Sequence, residues 1–337
     1  MEIKELLFEL SKRDAVGHIS EAADFAEKEL SKYMDVKRQN NLNIIGKITG
    51  DSDYTIMLDA HIDQIAMVVT DIDDKGFLTV SNAGGIDIRA LSPRAVTVHG
   101  KEKITAVFSS IPPHLSGEEE KYDDISKIKL DSLLGAKAKE VISLGDFVTF
   151  KTEPRVLSGD TVSGRSFDNR ASVACLLELA KRLSGKKLPI SLSFVLSDGE
   201  ELGLRGIRPA CFEIEPDEAI VVDVSFGDGV GISAEECGKL GGGAMLGFSA
   251  SFCSDISKKL RNIAKENNIP YSEEVMGRSS GTNADMVSVS GKGVKTATVS
   301  IPLRNMHTDC EILNLNDLNS VCDLIERYIL SGGVLNA

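Results

Sequence analysis

The sequence predicts an α/β protein: a mostly parallel sheet covered by helices, interrupted by a small β-rich block. Three observations carry this. Apolar runs such as "PISLSFVLS" (189–197), "EAIVVDVS" (218–225) and "VKTATVSIP" (294–302) have the continuous hydrophobicity of strands buried on both faces. Between them lie segments of helical period, "NRASVACLLELAKRL" (169–183) and "SDISKKLRNIAKEN" (254–267). From about residue 68 to 160 the texture changes to short alternating runs punctuated by Gly, Pro and Asp.

In chain order, the first 35 residues read as two helices, the second opening at Ser20 with Ala23, Phe25, Ala26 and Leu30 as its apolar side. "LNIIGKI" (42–48) and "YTIMLDA" (54–60) read as strands. Within the β-rich block, "GFLTVSNA", "RAVTVHG", "KITAVFSSI" and "GDFVTF" are short strands, and "SGEEEKYDDISKIK" (116–129) is a charged, solvated connection. After it come the helix and strand segments quoted above, a helical pattern after Glu201, and a closing helix, "NLNDLNSVCDLIERYIL", opened by Asn314 or Asn316. The expected organisation is therefore a discontinuous domain, residues 1–67 and 161–337, with an insert at 68–160. No internal repeat is evident, and "GKLGGG" (238–243) lacks the GK[ST] ending of a phosphate loop.

Composition narrows the function classes. The 337 residues are 42% hydrophobic, enough for a full core, and the formal net charge is −13. That balance argues against nucleic acid and anionic membrane as partners, because little here neutralises phosphates. No stretch approaches the roughly 20 apolar residues of a membrane helix. The N-terminal "MEIKELLFELSKRD" mixes charge into an amphipathic pattern unlike a signal peptide. The six cysteines (Cys175, Cys211, Cys237, Cys253, Cys310 and Cys322) form no CxxC pair and read as reduced thiols, so a cytoplasmic location is expected and a cysteine metal site is not.

The chemistry is read from where strands end. "TIMLDA" leads into His61 and Asp63; "SLSFVLS" leads into Glu200 and Glu201; "AIVV" runs into Asp223; "VKTATVSIP" is followed within a few residues by His307; Asp168 sits at the entrance to a helix. Taken singly, each has an ordinary alternative: Asp168 as a helix cap, Asp223 as turn chemistry, a histidine after a strand as a satisfied core residue. Their coincidence at the carboxyl edge of the sheet, where open α/β folds bind ligands, favours a metal site. Two divalent ions ~3.5–4 Å apart need one carboxylate that offers an oxygen to each, with imidazole and carboxylate at either side. Such an N/O set suits Zn²⁺ or Co²⁺, and Mn²⁺ as well. Asp63, two residues after His61 on extended chain, points the same way and is placed to orient its ring. Of Glu200 and Glu201, one would ligate metal and the other remain free as general base.

The segments "HIDQIAMVV", "GRSFDNR", "GEELGLRG", "VVDVS" and "SIPLRNMH", together with "GH" at Gly17 and "PPH" at 112–114, resemble in order and spacing the M42 family of dinuclear metallo-aminopeptidases. The group includes tetrahedral and glutamyl aminopeptidases and has members labelled endoglucanases. The resemblance covers nearly the whole chain. It implies a phosphorylase/hydrolase-like peptidase domain, with His61 and Asp223 on one ion, Glu201 and His307 on the other, and Asp168 bridging. It makes Glu200 the base that takes a proton from the attacking water and passes it to the leaving amine, and Asp63 the residue that orients His61. The cofactors would be two divalent ions per subunit and the substrates short peptides. The insert would be a dimerisation domain, supporting assembly up to a dodecamer.

Two positions depart from the family pattern: Gln64 and Asn283 stand where acids are usual. They bear on the substrate subsite, not on the ligands or the base. Arg89, Arg205 and Arg304 are candidates to receive an acidic side chain, though each also reads as an ordinary surface or ion-pair arginine. A metal-dependent deacylase and a non-catalytic relative remain alternative readings. A glycoside hydrolase is disfavoured, since paired carboxylates would suffice for that chemistry and the histidines would have no use.

Overall fold

In the computed structural model, residues 1–91, 93–110, 114, 124–277 and 279–336 are described. Most of the charged 116–129 connection and Pro112 and Pro113 of "PPH" lie outside them. Helices α1 (Ile3–Ser11) and α2 (Glu21–Leu30) precede strands β1 (Asp35–Arg38), β2 (Ile44–Ile48) and β3 (Thr55–His61). Six strands follow: β4 (Ala66–Ile72), β5 (Phe77–Ala83), β6 (Ala95–His99), β7 (Lys103–Phe108), β8 (Leu130–Asp131) and, after helix α3 (Ala138–Val141), β9 (Phe147–Phe150). The chain continues through β10 (Arg155–Val156), β11 (Thr161–Gly164), α4 (Phe167–Leu183), β12 (Ser191–Ser197), α5 (Ile207–Ile214) and β13 (Glu218–Phe226). It ends with β14 (Ala244–Ser249), α6 (Ser254–Glu266), β15 (Tyr271–Met276), α7 (Ala284–Ser288), β16 (Lys295–Leu303), β17 (Glu311–Asn314) and α8 (Leu315–Leu330).

The main sheet has eight strands in the order β1-β2-β12-β3-β13-β16-β14-β15. Its centre, β12-β3-β13-β16, is parallel. The antiparallel pairings at β1/β2, β2/β12 and β16/β14 make the whole sheet mixed, an edge pattern the apolar runs alone do not specify. Alternation along each central strand explains why both faces are covered. Ile56, Leu58 and Ala60 of β3, and Ile220, Val222 and Val224 of β13, pack with α1, α4, α6 and α8. Met57, Val195, Ala219 and Val221 face α5 and α7 instead. In parallel register Val221 lies beside Asp59, so His61 and Asp223, two residues further on, project at one level on the α5/α7 side.

Strands β4 to β9 close into a barrel with its own core of Met67, Val69, Leu78, Val80, Val96, Val98, Leu130 and Val148. A buried polar junction ties it to the sheet domain: Arg165 Nη1 donates to Asp14 Oδ1 at 2.7 Å, and His99 Nε2 of β6 lies 3.4 Å from Asp14 Oδ2. Burial raises the Asp14 carboxyl, but the His99 and Arg165 partners outweigh it and hold the group well below the ordinary range. Among the described residues, no helix is long and apolar enough to cross a membrane.

Candidate metal centre

All seven residues singled out from the sequence converge at the carboxyl ends of β3, β12, β13 and β16. His61 closes β3 with its side chain 2% exposed; its Nε2 lies 3.1 Å from Asp168 Oδ1, and its Nδ1 lies 3.3 Å from Asp63 Oδ1. Asp168 turns its other oxygen to His307, Oδ2 to Nε2 at 3.2 Å. Asp223 Oδ1 is 3.8 Å and Glu200 Oε2 3.9 Å from His61 Nε2, while Glu201 Oε1 is 3.6 Å from His307 Nε2.

Local backbone aims each group. Beyond β12 the chain turns through Gly199 at φ 76°, a left-handed conformation that suits glycine. The two glutamates that follow are fixed by Asp63, which accepts the Glu200 and Glu201 backbone N–H groups, each at 3.1 Å. Asp63 thus holds the acidic turn as well as lying beside His61. Asp168 enters from Ser166, itself left-handed at φ 56°, and lies where the backbone departs from helical geometry before α4 proper begins. The Asp168–Asn169 peptide is cis, and Asn169 Nδ2 donates to the Val222 carbonyl at 3.0 Å, anchoring this entry to β13. His307 follows β16 with φ 63°, its ring against Gly85 from the inserted barrel.

One residue at the site was not found from the sequence. Glu311, fully buried at the start of β17, accepts the Phe167 and Asp168 N–H groups on Oε2 (2.6 and 3.2 Å) and the His307 N–H on Oε1 (3.0 Å). The only available signal was an acid four residues after His307, ordinary for a strand start.

Electrostatics bear on the fit to metal. Two imidazoles face five carboxylates, and all but His307 are largely buried. Burial pushes Glu200 up to about 7, with Asp168 and Asp63 adding repulsion against the pull of His61. Burial likewise raises Glu201 and Asp223 well above the carboxylate range. Asp168 goes the other way: burial opposes its charge, but hydrogen bonds from His307 and His61 hold it ionised. His61 is raised because Glu200, Asp168 and Asp63 overcome its desolvation. Two groups of donor atoms, His61/Glu200/Asp223 and His61/Asp168/Glu201, each lie within 4.8 Å of one another. An N/O donor set with excess negative charge and no thiolate is what a hard-to-borderline divalent cation requires. The residues present fit such ions.

The two departing positions sit in buried networks. Gln64 accepts from Ala15 N (3.2 Å) and Arg170 Nη2 (3.0 Å) and donates to Asp14 (3.2 Å). Asn283 Nδ2 donates to Asp59 Oδ2 and Ser197 Oγ, both at 2.9 Å, so its amide supplies a donor that a carboxylate could not. Of the candidate arginines, Arg89 pairs with Asp87 and Arg304 with Asp228, while Arg205 is exposed.

Comparison with known proteins gives the following relatives. The family model described as M42 glutamyl aminopeptidase matches residues 43–324. A lysyl aminopeptidase of Pyrococcus furiosus is 29% identical, over 85% of this chain and 84% of its own. The TET1 peptidase of Pyrococcus horikoshii, which its description says can assemble into a tetrahedron or a large octahedral shell, superposes with a TM-score of 0.87 at 29% identity, covering 98% of this chain and 99% of its own. A Thermotoga maritima protein called an endoglucanase shares the fold at TM-score 0.79 and 22% identity, over 97% of both chains. On the extent of the family match, the chain belongs to the M42 family of aminopeptidases.

Proposed function

We propose that this protein is a metal-dependent aminopeptidase that releases the N-terminal residue of short peptides using two divalent cations. The observation that carries the reading is Asp168, whose two oxygens face different histidines at 3.1 and 3.2 Å, the disposition a bridging carboxylate needs. His61 and Asp223 would hold one cation and Glu201 and His307 the other, with Zn²⁺ or Co²⁺ preferred and Mn²⁺ suited. When bound, such cations polarise the scissile carbonyl and make water a competent nucleophile near neutral pH. Glu200, left outside the ligand set, takes the proton of the attacking water and delivers it to the departing amine. Burial raises its carboxyl to about 7 without cations, and their charge would lower it again, keeping it ionised to accept a proton. Asp63 keeps Glu200 in reach by fixing the turn that bears it.

The test is release of p-nitroaniline from Leu, Ala, Lys, Glu and Asp derivatives by chelated enzyme and by enzyme reloaded with Zn²⁺, Co²⁺ or Mn²⁺. Metal-dependent release establishes the reading and ranks the side chains; activity that survives chelation would sink it. Glu200→Gln is expected to lose about 100-fold or more in kcat while still binding metal, the scale of a removed general base. We further propose that the protein self-associates through its barrel.

A further inference from the structure

We propose that Glu311 is a positioning residue that fixes the spacing between the bridging and terminal ligands of the second cation site; this rests on the dinuclear reading above. Asp168 and His307 reach the centre from chain segments nearly 140 residues apart, and each arrives through a left-handed backbone conformation, Ser166 at φ 56° and His307 at φ 63°. Such conformations are unfavourable for residues with a Cβ and persist only where the surroundings hold them. Glu311 is the shared holder. Its Oε2 takes the two N–H groups just after Ser166, and its Oε1 takes the N–H of His307 itself. One rigid carboxylate thus ties the two segments at a fixed separation.

Glu311 is buried, and its three partners here are N–H donors, so both its oxygens must accept. An amide in its place has one accepting oxygen, so its NH₂ would confront an N–H on one of the two segments. The geometry parallels Asp63, which takes the N–H groups of Glu200 and Glu201 on its two oxygens. Asp63 and Glu311 clamp opposite sides of one centre. Glu311 touches no reacting atom, and its effect is on metal retention first and turnover second.

The experiment is stepwise Zn²⁺ or Co²⁺ titration of metal-free wild type, Glu311→Gln and Glu311→Asp, read by calorimetry and by bound-metal analysis. A control, Glu218→Gln, neutralises another fully buried glutamate that instead receives the Tyr54 and Tyr328 hydroxyls. Glu311→Gln should weaken one of the two ions by about 10- to 100-fold, the range for supporting groups around a metal, and lower kcat with KM little changed. Glu311→Asp keeps the charge but is too short to reach both segments, so it should show the same selective loss; it serves if the glutamine variant does not fold. Glu218→Gln should lower thermal stability with both ion affinities intact. Wild-type affinity for both ions in a folded Glu311 variant would overturn the inference. So would equal weakening of both ions in Glu311→Gln and Glu218→Gln, the mark of a merely structural acid. Wild-type protein that binds no second ion would overturn the dinuclear reading instead.

Discussion

At the scale of single residues, the puzzle is why adjacent Glu200 and Glu201 are tolerated in a buried turn. The answer is a division of labour: Asp63 satisfies their backbone, and their side chains face opposite histidines. Glu200 sits near 7 in the free site, and Glu201 and Asp223 are pushed above their ordinary range, all chiefly by burial. Near neutrality Glu200 is therefore partly protonated, and a neighbouring cation's charge favours loss of that proton. Metal uptake should release protons, and apparent affinity should climb as pH rises through about 7. Calorimetry in buffers of different ionisation enthalpy measures this; uptake without proton exchange would contradict it. Asp63→Asn, which turns an NH₂ toward one of the glutamate N–H groups, should weaken metal by about 10- to 100-fold. The candidate ligand types were legible because His61, Glu200, Glu201, Asp223 and His307 follow strongly apolar strands, while Asp168 opens a helix. Glu311 was not, since its partners lie far away in sequence and nothing local marks it; Gln64 and Asn283 stood out as amides where acids are usual, but not the buried networks they join.

At the scale of elements, the central strands were legible from continuous apolar runs in β3, β12, β13 and β16, and the long helices from period-3.6 hydrophobicity in α4 and α8. Asn314 does cap α8, its side chain accepting from Asn316 N at 2.9 Å. Strand β14 and the edge strand β15 went unread. β14 lies behind the glycine-rich "GKLGGG", and β15 ("YSEEVM") is too polar to stand out, as exposed edges tend to be. The helix after Glu201 begins only at Ile207, because the glutamate turn first closes through Gly203 and Leu204, both left-handed. The contact between the barrel's Gly85 and His307 was also invisible in sequence. A Cβ at Gly85 would stand 2.9 Å from His307 Nδ1. Gly85→Ala should therefore displace the ring and cut kcat by about tenfold or more, given how steeply rates fall with misplacement. A steady-state assay beside a melting curve separates this from unfolding.

At the scale of the whole molecule, the sheet domain supplies every proposed ligand, while the barrel contributes a wall behind His307 and the polar junction at Asp14. The barrel carries exposed apolar side chains, Leu133 at 83% and Leu144 at 66%. Association through the barrel should appear as sedimentation well above a 36.2 kDa monomer. Leu133→Asp or Leu144→Asp should shift the distribution toward smaller species, and a wild-type monomer would remove the barrel's proposed role. Closure of that barrel has a consequence for how copies can join. A ring of strands has no unpaired rim, so another chain cannot extend it by main-chain pairing. Recognition there must be written in side chains, which makes its stoichiometry adjustable by point substitution. The open margins of the main sheet lie elsewhere, at β1 and β15, the outer strands of its order.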